Sequence, residues 1–190
     1  TNFDNDPQIV GDQPLGNFEE FTFVCFQEIK VGTPIDFTDN GWERQYPGYW
    51  GTTEGSIRLT REAGNGNLPA GTTVTVVMNS GDGSGGSGTD ATDFDIFVGG
   101  VDELAAGYWS ITELNTSDGS GFNLNSDDDI WLMQNGSWVE NTITSNPDYH
   151  DDEYTGNVLY GWTATGWPGA DPAGTPEFSN LYPYSDCFQT

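Results

Sequence analysis

Positive charge is almost missing from this chain. Lys30, Arg44, Arg58 and Arg61 are its only basic residues, against 30 acidic ones, for a formal net charge of −26 over 190 residues. Four scattered cations build no basic patch, which argues against nucleic acid and anionic lipid surfaces as partners. Histidine is nearly as scarce. A nucleophile–base–orienter triad would have to use His150, which sits among acids with no G-x-S-x-G elbow nearby. No phosphate loop and no zinc-ligand set occurs. Glu43, Glu54 and Glu62 offer carboxylate pairs of the glycosidase kind, but any acidic protein does. The expectation is a protein that is not an enzyme. Long apolar runs are absent too: nothing approaches the roughly 18 consecutive residues of a membrane-spanning helix, so direct membrane insertion is not expected.

What the chain does contain is aromatic and flexible at once. Charged residues make up 18% and aromatics 14%, a composition that drives folding rather than disorder. The excess of acids repels itself even through the ~8 Å screening length of physiological salt. Divalent cations, neutral glycans and further copies of the chain remain as partners. Thr1 stands where Met would start a chain, which reads as a processed or trimmed amino terminus. Cys25 and Cys187 form an even pair near opposite ends. In an oxidising compartment they could close a large loop worth roughly 3–5 kcal/mol; the alternative is two reduced, buried thiols.

The hydrophobic pattern is that of short strands. Phe21 to Phe26 is apolar on both faces and reads as a central strand, while Ile35 to Thr38 and Ser56 to Thr60 alternate. Thr72 to Met78 places Val74, Val76 and Met78 on one face. Phe94 to Val98, Tyr108 to Leu114, Ile130 to Met133, Ser137 to Val139 and Val158 to Trp162 complete the set. Gln134-Asn135-Gly136 reads as a hairpin loop, and only Val101 to Ala106 suggests a helical turn. Three stretches do not read as strands: an amino-terminal arm over 1–17, a Gly-rich insertion over 79–92 and a Pro/Trp-rich loop region towards the carboxyl end. One β-sandwich domain over 18–190 follows, all-β, with long loops. In the arm, Ile9 and Val10 are apolar without a local partner and are candidates for packing on a neighbouring copy.

Several segments together resemble a module of exported bacterial surface proteins. They are Glu19-Glu20-Phe21-Thr22-Phe23-Val24, Ile35 to Trp42 with its FTDNGW run, Glu54-Gly55-Ser56-Ile57, and Pro69-Ala70-Gly71-Thr72-Thr73-Val74. Phe122-Asn123-Leu124, Asp127-Asp128-Asp129-Ile130 and the Gln134-Asn135-Gly136 turn echo its later half. The order of turns and strands is similar to lamin-tail immunoglobulin-like domains, over roughly residues 18 to 140. The resemblance implies export to the extracellular space or cell surface and an immunoglobulin-like sandwich; it implies no catalytic activity.

Candidate ligand residues fall in clusters. Asp127, Asp128 and Asp129 adjoin and repel unless a cation or donor sits among them, which suits Ca2+; the alternative is a solvated turn. Asp148, Asp151 and Asp152 with His150 and Glu153 form a second acidic cluster. Gly85 to Asp90 fits a single GGxGxD calcium turn, without the stacked repeats such turns need. Asp39 is expected to cap its turn through backbone N–H groups rather than bind metal. Trp42, Tyr49 and Trp50 lie close together and, if exposed, could stack on sugar rings; otherwise they pack over the sandwich edge. The expectation is an acidic extracellular structural protein that self-assembles into a filament, sheath or layer with calcium. The alternative is a carbohydrate-binding module on surface glycans.

Overall fold

Alternating apolar residues divide the chain into strands that bury one face each, and two such faces close on one another. The structure, a computed structural model, describes residues 3–4, 7–10, 13–17, 19–41, 49–51, 55–78, 93–115, 121–122, 124, 129–140 and 152–163. Its strands are β1 (Phe3–Asp4), β2 (Pro7–Val10), β3 (Gln13–Asn17), β4 (Glu19–Val24), β5 (Pro34–Thr38), β6 (Tyr49–Trp50), β7 (Ser56–Arg61) and β8 (Thr73–Met78). They continue as β9 (Phe94–Val98), β10 (Val101–Asp102), β11 (Trp109–Asn115), β12 (Asp129–Gln134), β13 (Trp138–Glu140), β14 (Asp152–Tyr154) and β15 (Asn157–Thr163). The fold is an all-β sandwich. One sheet runs β1-β4-β8-β9-β10 and the other β11-β7-β5-β12-β15, with antiparallel neighbours throughout.

The main core lies between these sheets. Phe21 and Phe23 of β4 meet Phe37 of β5 at centroid distances of 4.8 and 5.4 Å, and Phe122 closes on Phe21 at 5.9 Å. Val74, Val76, Met78 and Ile96 from the first sheet face Ile35, Ile57, Leu59 and Ile130 from the second, all buried. Each aliphatic or aromatic side chain so enclosed contributes about 1.5–3 kcal/mol by leaving water.

A third sheet, β13-β14-β6, packs on the outer face of the second. Trp50 of β6, Tyr154 of β14 and Trp138 of β13 cover Trp131 and Met133 of β12 and Val158 of β15. Consequently β12 is buried on both faces: Ile130 and Leu132 serve the main core, Trp131 and Met133 the second. Directly across from Trp131 stands Gly161, where a Cβ would come within 2.6 Å of the indole. Glycine is what lets the large ring lie flat against the neighbouring strand.

Several expectations change. The chain does not fold back in a hairpin at Gln134-Asn135-Gly136, because β12 already has β5 and β15 on its two edges. It turns away instead, and β13 pairs with β14 in the third sheet. Residues 101–106 are not a helical turn: Val101–Asp102 pairs with β9, and Asp102 Oδ1 accepts from the amides of Leu104 and Ala105 in the turn that follows. The stretch 1–17 contains strands rather than a free arm. Phe3–Asp4 lies against the edge of β4, and Ile9 and Val10 sit in β2, paired with Pro14 and Gln13 of β3. An exposed strand edge offers unsatisfied N–H and C=O groups, and the preceding chain satisfies them at Glu20 and Phe21. Finally, the face of β4 opposite Phe21 and Phe23 is not buried at Val24, which is exposed, and Phe26 follows beyond the strand's end, 78% exposed. The Gly-rich insertion 79–92 and the Pro/Trp-rich region 166–183 lie outside the described residues.

Candidate functional site

Strand alternation that sends Ile35 and Phe37 into the main core sends Asp36 the other way, under the third sheet. There its carboxylate is 1% exposed and accepts three hydrogen bonds. Arg58, opposite it on β7, grips both oxygens through Nε at 2.6 Å and Nη2 at 2.7 Å. Tyr154 Oη donates to Oδ2 at 2.7 Å. The same groups reach the corner after β12: Arg58 Nη2 donates to the Gly136 carbonyl at 2.9 Å, and the Gly136 amide donates to Tyr154 Oη at 3.1 Å. Gly136 also abuts Gly156 so closely that a Cβ would lie 2.3 Å from the Gly156 nitrogen. Burial, then the hydrogen bond to Asp36, pushes the Tyr154 phenol well above its usual range. The Asp36 hydrogen bond raises the Arg58 guanidinium further. Held by Arg58 of its own sheet and Tyr154 of the third, Asp36 is a tie between sheets.

A second cluster closes one end of the sandwich. Arg61 is 1% exposed and Glu103 4%. Arg61 Nη1 donates to Glu103 Oε2 at 2.5 Å, Trp109 Nε1 to the same oxygen at 3.0 Å, and Asn65 Nδ2 to Oε1 at 2.9 Å. Arg61 Nε reaches the Gly66 carbonyl, and the guanidinium lies 5.2 Å from the centroid of the Trp109 ring. A third cluster forms within the FTDN run. Asp39 Oδ1 accepts the Gly55 amide at 2.8 Å, Thr38 Oγ1 donates to the Gly55 carbonyl at 2.8 Å, and Asn40 Nδ2 donates to Thr38 Oγ1 and the Gly55 carbonyl. Asp39 thus binds a backbone N–H as expected, although the amide belongs to the facing loop.

The sequence-derived candidates fare unevenly. Asp152 is buried at 1% on β14 and accepts from Trp138 Nε1 at 2.8 Å, a tie within the third sheet. The β14 backbone pairs it with Trp50 and Glu140. Asp127, Asp128, Asp148 and Asp151 lie outside the described residues; of Asp129 the strand position is described and the side chain is not. Among the described residues no group of three or more His, Cys, Asp or Glu side chains could hold a metal ion. Trp50 cannot stack on a sugar, because it is 1% exposed and enclosed by Trp138 at 5.7 Å and Tyr154 at 6.2 Å. Packing of a third sheet, invisible in local pattern, covers it. Trp42 and the Tyr49 side chain lie outside the described residues. Cys25 is buried at 5% with a free thiol whose pKa burial raises; Cys187 lies outside the described residues.

Sequence reasoning passed over Asp36, Arg58, Tyr154 and Glu103. The signal was present: in a chain this poor in cations, Arg58 and Arg61 both lie inside one strand pattern, and each has a buried acid as its partner. The class of molecule these features define is an all-β sandwich backed by a third sheet and tied by ion pairs to buried acids. No family model, curated protein or solved structure matches the chain. No helix of the described residues is long and apolar enough to cross a membrane.

Proposed function

We propose that the protein is a non-enzymatic structural protein of the extracellular or cell surface, a self-associating subunit whose acidic exterior takes up calcium. One observation carries this reading: Arg58 and Arg61 are both committed to internal ion pairs with Asp36 and Glu103. The remaining acids are balanced only by Lys30 and Arg44. A surface of that kind repels its own copies until divalent counter-ions intervene, and oxygen-rich clusters such as Asp127 to Asp129 suit a hard cation. Support also comes from the buried polar side chains, which serve as ties between strands and sheets.

Electron microscopy and thermal unfolding of the purified protein in calcium, in chelator and in sodium chloride of matched ionic strength test the proposal together. Ordered polymers and a higher melting temperature in calcium alone are expected; binding to the folded state adds about 2.7 kcal/mol at a hundredfold excess over Kd. That rise should vanish when Asp127→Asn and Asp129→Asn are combined. Equal effects of both salts mean diffuse screening and remove the metal. A monomer retained on immobilised glycans replaces the structural reading with the carbohydrate-binding one.

A further inference from the structure

Asn-Gly pairs are chemically fragile, because glycine lacks the Cβ that would shield its amide nitrogen from the preceding side chain. The described residues contain three: Asn40-Gly41, Asn65-Gly66 and Asn135-Gly136. Their surroundings differ. Asn40 is fully buried and its Nδ2 donates to Thr38 Oγ1 at 3.2 Å and to the Gly55 carbonyl at 3.4 Å. Asn65 is exposed, but Glu103 Oε1 holds its Nδ2 at 2.9 Å. Asn135 is exposed at the corner between β12 and β13, with a left-handed backbone at φ 62° and a side chain outside every hydrogen-bonded cluster described above. We propose that Asn135-Gly136 is the site at which this protein modifies itself, by spontaneous succinimide formation and deamidation, and that Tyr154 sets the rate.

The chemistry needs no helper beyond water. The Gly136 amide nitrogen, giving up its proton, attacks Asn135 Cγ; the new C–N bond forms as the Cγ–Nδ2 bond breaks, and ammonia leaves with that proton. Water then opens the imide at either carbonyl, leaving aspartate or isoaspartate and one more negative charge. In the folded protein the attacking nitrogen is restrained. Its N–H points at Tyr154 Oη, which is fixed in turn by its donation to Asp36, while Arg58 holds the carbonyl of the same residue. Attack therefore requires the Gly136 amide to leave Tyr154 first. Asn40 and Asn65 are restrained on the other reacting group, since their Nδ2 atoms are held by acceptors inside or at the edge of the fold.

Peptide mapping with isoaspartate detection, over a time course at mildly alkaline pH, tests this on the full chain. In the native protein, conversion at Asn135 should outrun that at Asn40 and Asn65, and in denaturant the three should converge. Tyr154→Phe should speed conversion at Asn135 by roughly three- to tenfold, the worth of one hydrogen bond, and leave Asn40 and Asn65 unchanged. Asn135→Gln should abolish conversion at that position. Native rates at Asn135 no higher than at Asn40 or Asn65 overturn the site. If Tyr154→Phe leaves the Asn135 rate unchanged, the gate is overturned. Should that variant unfold, all three sites will accelerate together. Hydrogen exchange then decides on the wild-type protein: a Gly136 amide that exchanges as fast as an open-loop amide overturns the gate, and a protected one supports it.

Discussion

Replacing Glu103 with Gln removes a negative charge at almost constant volume, so the result reads the electrostatics of the buried pair and not a cavity. In the native protein the Glu103 carboxylate receives Arg61 at 2.5 Å, Trp109 at 3.0 Å and Asn65 at 2.9 Å. In Glu103→Gln one oxygen becomes an amide that can only donate, in a site already filled with donors. Arg61, 1% exposed, keeps its charge and loses its counter-ion. An uncompensated buried charge costs about 3–5 kcal/mol, and an unmet donor about 1–3 kcal/mol. The two overlap because they belong to one network, so a total of about 3–5 kcal/mol is expected. Set against a typical domain stability of about 5–15 kcal/mol, that is a large fraction. With a urea slope of about 2 kcal/mol per molar, the unfolding midpoint should fall by about 2 M. Tryptophan fluorescence and far-ultraviolet circular dichroism should report the same midpoint. A combined Arg61→Met and Glu103→Leu change removes both charges and should recover part of the loss, the remainder being the Trp109 indole N–H left without its acceptor. A Glu103→Gln midpoint within about 0.3 M of wild type would refute the reasoning, as would a double variant less stable than the single one.

Three smaller perturbations probe the remaining ties. Gly161→Ala should cost about 1–3 kcal/mol in thermal unfolding, since its methyl group meets the buried Trp131 ring; an unchanged melting temperature would mean the indole moves aside freely. Tyr154 is held protonated above the pKa of about 10 of an exposed tyrosine, so the unfolded chain releases that proton first. Its contribution is complete below about pH 10 and is lost as pH rises beyond it; Tyr154→Phe should shrink that alkaline loss in a pH series of unfolding midpoints. Cys25, buried and with its thiol pKa raised, should react with a thiol-specific reagent many times faster in denaturant than in buffer; equal rates would place it at the surface.

Local pattern carried the sandwich well. The strands at Ile35 to Thr38, Ser56 to Thr60, Thr72 to Met78 and Phe94 to Val98 fall within a residue of the observed ones, because each has one face to bury and alternation records it. The third sheet escaped for the opposite reason. Of its members, β13 is legible at Ser137 to Val139 but not its partner, while β6 and β14 are two and three residues long, too short to show a period, and Asp152-Glu153-Tyr154 is polar enough to pass for a loop. Of the two readings the sequence leaves open for Trp50, packing over the sandwich edge is the one observed. The same omission hid the tie at Asp36, whose outward position on β5 suggests solvent until something is known to cover it. Asp39 was legible in part: a short acid beside a turn is expected to meet a backbone amide, but the amide it meets is that of Gly55, brought in by the facing loop.

Burial of β12 on both sides changes what fixes its alignment. A strand with one wet face is kept in step by polarity, since slipping by one residue would turn its apolar side chains outward. Here a slip would merely exchange Ile130 and Leu132 for Trp131 and Met133, apolar for apolar, with no penalty in exposure. Size must discriminate instead. The indole of Trp131 fits only opposite a residue without a side chain, and Gly161 supplies that vacancy at a single rung of the β12–β15 ladder. The pair works as a key and its slot: once the ring is seated, the neighbouring rungs are counted from it, and both cores receive the side chains meant for them.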